Sequence, residues 1–250
     1  MAFKKVWRGI DLSNHNGNID FKKVKAAEIE FAILRTGYGR KDPEQYDTKF
    51  EEYYRQCKEN NIPVGAYHFS YALTKEAALE EAKFMAEIVK GKTFEFPLYF
   101  DIETVNHTTL SKAVSAEIIT TFCEYMEKQG FWAGVYSFDT FYFSNIPDSI
   151  TKRFATWVAR VENVQPSYCK NFGIWQNSWE GKIDGITGDV DLNYCYKDYP
   201  QLIKNSCMNG FGSKALYNVS ALAEGLAESD AEALAKKCKE LGMKTILKEV

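Results

Sequence analysis

Asp101 and Glu103 stand two residues apart at the end of an apolar run, Phe96-Pro97-Leu98-Tyr99-Phe100-Asp101-Ile102-Glu103. Side chains alternate faces along a strand, so both acids point one way and Ile102 points the other. Glycoside hydrolysis uses such a pair: one acid protonates the leaving oxygen, and a negative group stabilises the oxocarbenium-like transition state. At the mouth of an apolar strand, beside a second carboxylate, one acid has its pKa raised and stays protonated near neutrality. Glu103 has the longer reach into a cleft and is the expected acid. Clustered carboxylates also suit a divalent metal, which is the other chemistry these residue types permit.

The acids need a scaffold, and eight short runs supply one. They lie at Trp7 to Asp11, Phe31 to Thr36, Pro63 to Phe69, Phe96 to Glu103, Phe131 to Tyr136, Phe154 to Ala159, Phe172 to Gln176 and Asp189 to Asn193. Between the early runs the apolar residues recur with helical period, over Phe21 to Glu28, Tyr46 to Glu59, Lys75 to Val89, Ser111 to Lys128 and Ile146 to Lys152. Asp20 and Ser111 are placed to cap two of these helices. After the sixth run the connections shorten and fill with Gly, Asn, Pro and Ser. The expected fold is therefore α/β, a TIM-like (β/α)5(β)3 barrel with a parallel sheet; an open doubly wound sheet is the alternative.

Closure of a barrel would bring the eight strand ends to one rim. Those ends carry Asp11, Thr36, Tyr67, Asp101 with Glu103, Tyr136, Trp157, Trp175 with Gln176, and Asp191. Asp11 and Asp191, on the first and last strands, become neighbours when the ring closes. Tyr38, Tyr67, Phe69, Tyr136, Trp157 and Trp175 offer flat faces suited to the apolar sides of sugar rings. His68 reads as a hydrogen-bonding residue at or behind the rim, because neither it nor His15 has a Ser or Cys nucleophile as partner. Gly37-Tyr38-Gly39 lacks the further glycine of a dinucleotide-binding loop.

Composition narrows the partners. A formal net charge of −3, with Lys and Arg scattered among Asp and Glu, gives no basic footprint for nucleic acid. No run is long enough to span a bilayer, and Met1 to Arg8 lacks the apolar stretch of a secretory signal, so synthesis in the cytoplasm without a leader is expected. The six cysteines, Cys57, Cys123, Cys169, Cys195, Cys207 and Cys238, form no C-x-x-C pair and read as free thiols, mostly in the core.

The C-terminal stretch stands apart. Asn205 to Ser213 has linker composition, giving an expected division into a barrel over 1–204, a linker over 205–213 and a small βαβ tail over 214–250. Within the tail, Leu216 to Val219 and Lys244 to Lys248 resemble strands and Asp230 to Leu241 a helix, with a capping box at Ser229 and Glu232 and a terminating Gly242. About forty residues are too few to bury a core alone, so this unit must dock on the barrel or on a second copy.

Taken in order, several motifs resemble those of glycoside hydrolase family 25 lysozymes. They are Gly9-Ile10-Asp11-Leu12-Ser13, Asn16-Gly17 with Ile19-Asp20, Val64 to Phe69, Asp101-Ile102-Glu103, Trp157-Val158-Ala159, Ile174-Trp175-Gln176 and Val190-Asp191-Leu192-Asn193. The resemblance implies a barrel with five helices and three helix-less strands, which cleaves β-1,4 bonds after N-acetylmuramic acid in the glycan strands of bacterial peptidoglycan, without metal or cofactor. It implies Glu103 as general acid, Asp101 as its partner, Asp11 and Asp191 on the floor, and Tyr67, Tyr136 and Trp175 against the sugar. Acids two apart on one strand do not flank a sugar from opposite faces, so a substrate-assisted route with retention is expected, Asp101 orienting the acetamido group. Such an enzyme, made without a leader, would reach the wall after release. Where the family continues Trp157-Val158-Ala159 with Tyr, this chain has Arg160-Val161-Glu162. The tail resembles one half of a sporulation-related (SPOR) glycan-binding repeat, which would allow two tails to pair in a homodimer. A barrel glycosidase acting on chitin-like glycans and a non-catalytic wall-binding module are the alternatives.

Overall fold

A computed structural model of the chain describes residues 5–161, 164–212 and 227–240. The chain divides into two compact units, Met1–Lys214 and Ala215–Val250.

The first unit is a closed barrel of eight strands in chain order. They are β1 (Trp7–Leu12), β2 (Phe31–Tyr38), β3 (Val64–Phe69), β4 (Leu98–Asp101), β5 (Ala133–Phe138), β6 (Ala155–Ala159), β7 (Ile174–Gly181) and β8 (Val190–Cys195). Helices α1 (Phe21–Ala26), α2 (Phe50–Glu59), α3 (Lys75–Val89) and α4 (Lys112–Lys128) follow the first four strands. Two short helices, α5 (Asp139–Asn145) and α6 (Asp148–Arg153), connect β5 to β6, and α7 (Tyr199–Asn205) follows β8. Asp20 caps α1 by accepting from the Lys22 and Lys23 amides, and Ser111 caps α4 through the Val114 amide.

The sheet is not wholly parallel, contrary to the expectation from sequence. β1 to β7 run parallel, whereas β8 is antiparallel to both β7 and β1. The physical reason is the connection: β7 returns to β8 through a hairpin, and only a crossover of a dozen or more residues lets successive strands run parallel. Asp191 consequently lies at the start of β8, and that start is what reaches the common rim. α5 and α7 were not anticipated, and β4 stops at Asp101, so Glu103 lies just beyond the strand.

Alternation along the strands builds two cores. Outward side chains such as Ile10, Leu12, Leu34, Val64, Leu98, Phe100 and Ile102 pack under Phe84, Met85, Ile118 and Phe122 of the helices. Inward side chains fill the lower barrel with Phe31, Ile33, Phe96, Tyr99, Trp157 and Ile174, closed by Tyr199 and Ile203 of α7. Phe31 and Phe96 stack with centroids 4.4 Å apart. Glycine makes room for them: a Cβ at Gly9 would lie 2.3 Å from the Phe31 ring, and one at Gly134 would lie 2.7 Å from the Tyr99 ring. The bottom of the barrel is thus an aromatic plug, and the polar chemistry is confined to the top.

Beyond α7, the segment with linker composition contributes a buried residue to the barrel. Asn209, at φ 56°, donates through Nδ2 to the Phe94 and Phe96 carbonyls (3.0 and 2.9 Å) and accepts the Trp132 amide at Oδ1 (2.6 Å). Asn and Gly are favoured in left-handed turns as well as in linkers, so composition does not separate the two.

Of the second unit, the described part is α8 (Glu228–Glu240), starting two residues earlier than expected, which puts Ser229 in the first turn instead of at the cap. Ala231, Ala235 and Cys238 form its less exposed stripe. The strand-like stretches at 216–219 and 244–248 and the terminating Gly242 lie outside the described residues. All six cysteines are free, and Cys57, Cys123, Cys169 and Cys195 are buried. Among the described residues no helix is long and apolar enough to cross a membrane.

Candidate active site

The rim encloses a hollow of about 440 Å³ lined by Asp11, Ser13, His15, Asn16, Arg35, Tyr67, Phe69, Asp101, Glu103, Tyr136, Trp157, Gln176, Asp189 and Asp191. The four acids singled out in the sequence therefore meet. Asp11 comes from β1, Asp101 from the last position of β4, Glu103 from two residues further on, and Asp191 from β8, where it is the register partner of Asp11.

A hydrogen-bond network fixes the floor. Gln176 Nε2 donates to Asp11 Oδ2 at 2.9 Å and to Asp191 Oδ2 at 3.2 Å, and Asn193 Nδ2 donates to Asp11 Oδ2 at 2.7 Å. Both amides have their orientation set by donors on the other side. The Gln176 Oε1 accepts the Tyr136 hydroxyl (2.8 Å) and the Trp179 indole N–H (3.0 Å), and the Asn193 Oδ1 accepts the Trp157 indole N–H (2.7 Å). A carbonyl oxygen must face those donors, so each NH2 group faces Asp11.

Burial sets the electrostatics. Removal from water pushes Asp11 up to about 6, a rise limited by the Asn193 and Gln176 hydrogen bonds. Asp191 is pushed up to about 9 by burial and by the charge of Asp11, with which it shares a hydrogen bond. Glu103 rises to about 7, again chiefly by burial, with the Tyr136 hydroxyl beside it acting in the opposite direction. Asp101 lies well above the carboxylate range through burial, then through the charges of Glu103 and Asp11, with Arg35 opposing them. At neutral pH this arrangement keeps a proton on Asp191, leaves Glu103 close to its midpoint and Asp11 charged, and favours the neutral form of Asp101. Among the described residues the buried Asp101 Oδ1 has no hydrogen-bond partner.

Tyr67, Phe69, Tyr136, Trp157 and Gln176 line the hollow as expected from their positions, with the Tyr136 and Trp157 rings 4.4 Å apart. Trp175 does not. Its side chain lies on the outer face of β7, donating to the Arg160 carbonyl at 2.8 Å and packing against Tyr194. Tyr38 is also off the hollow, its hydroxyl donating to the Glu44 carbonyl and its ring edge-on to Tyr71. His68 faces outward and is buried: Nε2 donates to the Gly39 carbonyl, Nδ1 meets the Thr36 hydroxyl, and burial pulls its pKa down to about 4. Arg160, where the sequence departs from the family pattern, pairs with buried Asp139 (3.1 Å), which also accepts the amides of Ser167, Tyr168 and Cys169 and so ties down the loop after β6.

Arg35, Asn193 and Trp179 were missed in the sequence. Arg35 Nε donates to buried Asp47 at 2.8 Å and its Nη2 to Asn14 at 2.6 Å, placing a fixed cation on the wall of the hollow. A lone Arg inside Phe31-Ala32-Ile33-Leu34-Arg35 was its signal, and Asn193 shares a strand face with Asp191 two residues before it. Among the described residues no three His, Cys, Asp or Glu side chains are arranged to hold a metal ion.

The sequence profile of "Glycosyl hydrolases family 25" matches residues 10–186. An autolytic lysozyme of Clostridium acetobutylicum is 24% identical over 186 residues, covering 74% of this chain and 55% of its own. Among solved structures, the modular autolysin LytC of Streptococcus pneumoniae superposes with a TM-score of 0.69 at 26% identity, over 78% of this chain and 48% of that one, and it has also been solved in complex with a synthetic peptidoglycan ligand. A bacterial lysozyme from Streptomyces coelicolor shares the fold with a TM-score of 0.70 at 23% identity, over 82% and 98% of the two chains. The chain spans about half the length of the clostridial and pneumococcal proteins. With a profile match running from β1 to the hairpin before β8, and a closed ring whose mouth gathers four acids, this chain belongs to glycosyl hydrolases family 25.

Proposed function

We propose that the barrel is a peptidoglycan hydrolase that cleaves the β-1,4 bond between N-acetylmuramic acid and N-acetylglucosamine in the bacterial cell wall. The observation that carries this reading is the juxtaposition of Glu103, raised to about 7, with a buried Asp101 whose Oδ1 lacks a hydrogen-bond partner among the described residues. Glu103 gives its proton to the glycosidic oxygen as the C1–O bond breaks. The acetamido N–H of the sugar donates to Asp101 Oδ1, which turns the acetamido oxygen toward C1 and favours the ionised form of Asp101. That oxygen closes on C1, and Glu103, now a carboxylate, takes a proton from the water that opens the ring, so configuration is retained. Tyr67, Phe69, Tyr136 and Trp157 offer the aromatic walls for the sugar, and Arg35 opposes the accumulated negative charge.

Glu103→Gln keeps the shape and removes the proton. It should slow release of soluble fragments from purified walls by about 10²–10⁴-fold. Mass spectrometry of the fragments should place the new reducing end on N-acetylmuramic acid. Undiminished lysis by Glu103→Gln, or an inverted anomer as the first product by NMR, would sink the role assignment.

A further inference from the structure

Two exposed aromatic side chains flank the hollow on opposite sides of the ring. Tyr71, two residues past β3, is 55% exposed and lies against Phe69, with centroids 5.4 Å apart, and against Tyr38 at 6.3 Å. Trp179, in the outer half of β7, is 46% exposed and packs edge-on against Phe138 at 6.0 Å. β3 and β7 are four strands apart in a ring of eight, so the two residues stand on opposite sides of the ring.

Single exposed apolar residues are ordinary on a protein surface and alone would mean little. These two are each anchored to the site. Trp179 Nε1 donates to Gln176 Oε1, the same oxygen that accepts the Tyr136 hydroxyl, so the indole is fixed by the amide that holds Asp11. The Tyr71 amide donates at 3.0 Å to Glu81 Oε1, a buried carboxyl on α3, and the Ser70 amide before it donates to the Asp101 carbonyl. Phe69, against which Tyr71 rests, lines the hollow. Both side chains are therefore packed against neighbouring rings before any ligand arrives while staying about half exposed, and an exposed aromatic ring needs no charge to bind the C–H faces of pyranose rings.

We infer that Tyr71 and Trp179 are sugar platforms outside the cleaved linkage, on which a glycan strand is laid across the mouth from the β3 side to the β7 side, so that the chain selects long strands over short ones. This rests on the proposed function and adds the path of the substrate and the residues that read its length. Binding energy from remote sugars would be used to seat the reacting pair in the hollow.

Calorimetric titration of the Glu103→Gln chain with soluble linear peptidoglycan strands reads affinity whether or not the unsubstituted chain hydrolyses them. Tyr71→Ala and Trp179→Ala should each weaken binding of eight-sugar strands by about tenfold, combine to about a hundredfold, and move the affinity for a disaccharide far less. Tyr71→Phe and Trp179→Phe should recover most of the loss. Equal losses for both lengths, or none for either, would overturn the path. Length-dependent binding without any hydrolysis by the unsubstituted chain would instead leave the path standing and count against the proposed reaction.

Discussion

Asp11 and Asp191 face each other across β1 and β8, yet they carry opposite burdens. Asp11 accepts two amide N–H groups and the proton of Asp191, and is the acid best equipped to hold a charge. Asp191, raised to about 9, is neutral at pH 7 and acts as a donor. Asp191→Asn replaces one neutral donor by another and should lower wall hydrolysis less than about tenfold, whereas Asp11→Asn turns an amide toward two amide donors and should lower it by roughly 10²-fold, the effect of leaving buried donors unpaired. Initial rates on purified walls compare the two. The same geometry fixes the pH profile. Glu103 must hold its proton, so kcat/KM should fall as pH rises through about 7, and Asp11→Asn should move that limb downward because the Asp11 charge is one cause of the raised value. Residue types alone named the four acids; facing was harder to read. Trp175 and Gln176 are consecutive and cannot both point inward, so period-two alternation already contained the correction for Trp175. Tyr38 is likewise out of phase when counted in twos from Phe31, Ile33 and Arg35, and the register shift between Arg35 and Gly37, which leaves no mark in the sequence, interrupts that count before it is reached.

At the scale of elements, the barrel depends on how its lower end is closed. Phe94 and Phe96, on the approach to β4, and Trp132, on the approach to β5, present backbone groups that no strand partner satisfies, and one side chain, Asn209, serves all three. Its own backbone completes the seal, accepting the Phe94 amide and donating to the Gly130 carbonyl. Asn209→Ala removes three hydrogen bonds and strands two carbonyls and an amide in a buried place, so a loss of about 3–5 kcal/mol is expected, read as a shift in denaturant midpoint with unchanged slope. Asn209→Gly, which relieves the positive φ but restores no bond, should recover only about 1 kcal/mol of it. The strands and the four large helices were legible because their apolar periods are long and punctuated, as at Asp20 and Ser111. The antiparallel β8 and the sealing turn were not, because each is set by a partner distant in sequence: β8 by β1, and Asn209 by residues 77 to 115 positions away.

For the whole molecule, four acids in one hollow make folding depend on pH with a sign opposite to that of a surface-paired carboxylate. Each raised pKa means that the folded chain binds protons more tightly than the unfolded one between the ordinary carboxylate value and the raised value. Stability at this site is therefore greatest below about pH 4 and is lost as pH climbs through the raised values, that of Asp191 near 9 among them. Removing one acid isolates the effect. In Asp191→Asn a group that titrates near 9 is gone while its hydrogen bond to Asp11 is kept, so the variant should unfold later than the parent at pH 8 by about 1–3 kcal/mol. For a domain of this size that is roughly 2–4 °C in Tm per kcal/mol. At pH 4 both forms carry a neutral donor at this position and the two melting curves should converge. Thermal unfolding followed by circular dichroism at the two pH values measures the difference directly. A gap that persists unchanged at pH 4 would mean that packing, not titration, separates the two chains, and the electrostatic account of the hollow would fall with it. A gap that opens with pH would place the chemistry of the mouth in direct opposition to the stability of the ring that holds it, since an acid whose ionisation opposes folding at alkaline pH lies one hydrogen bond from Asp11.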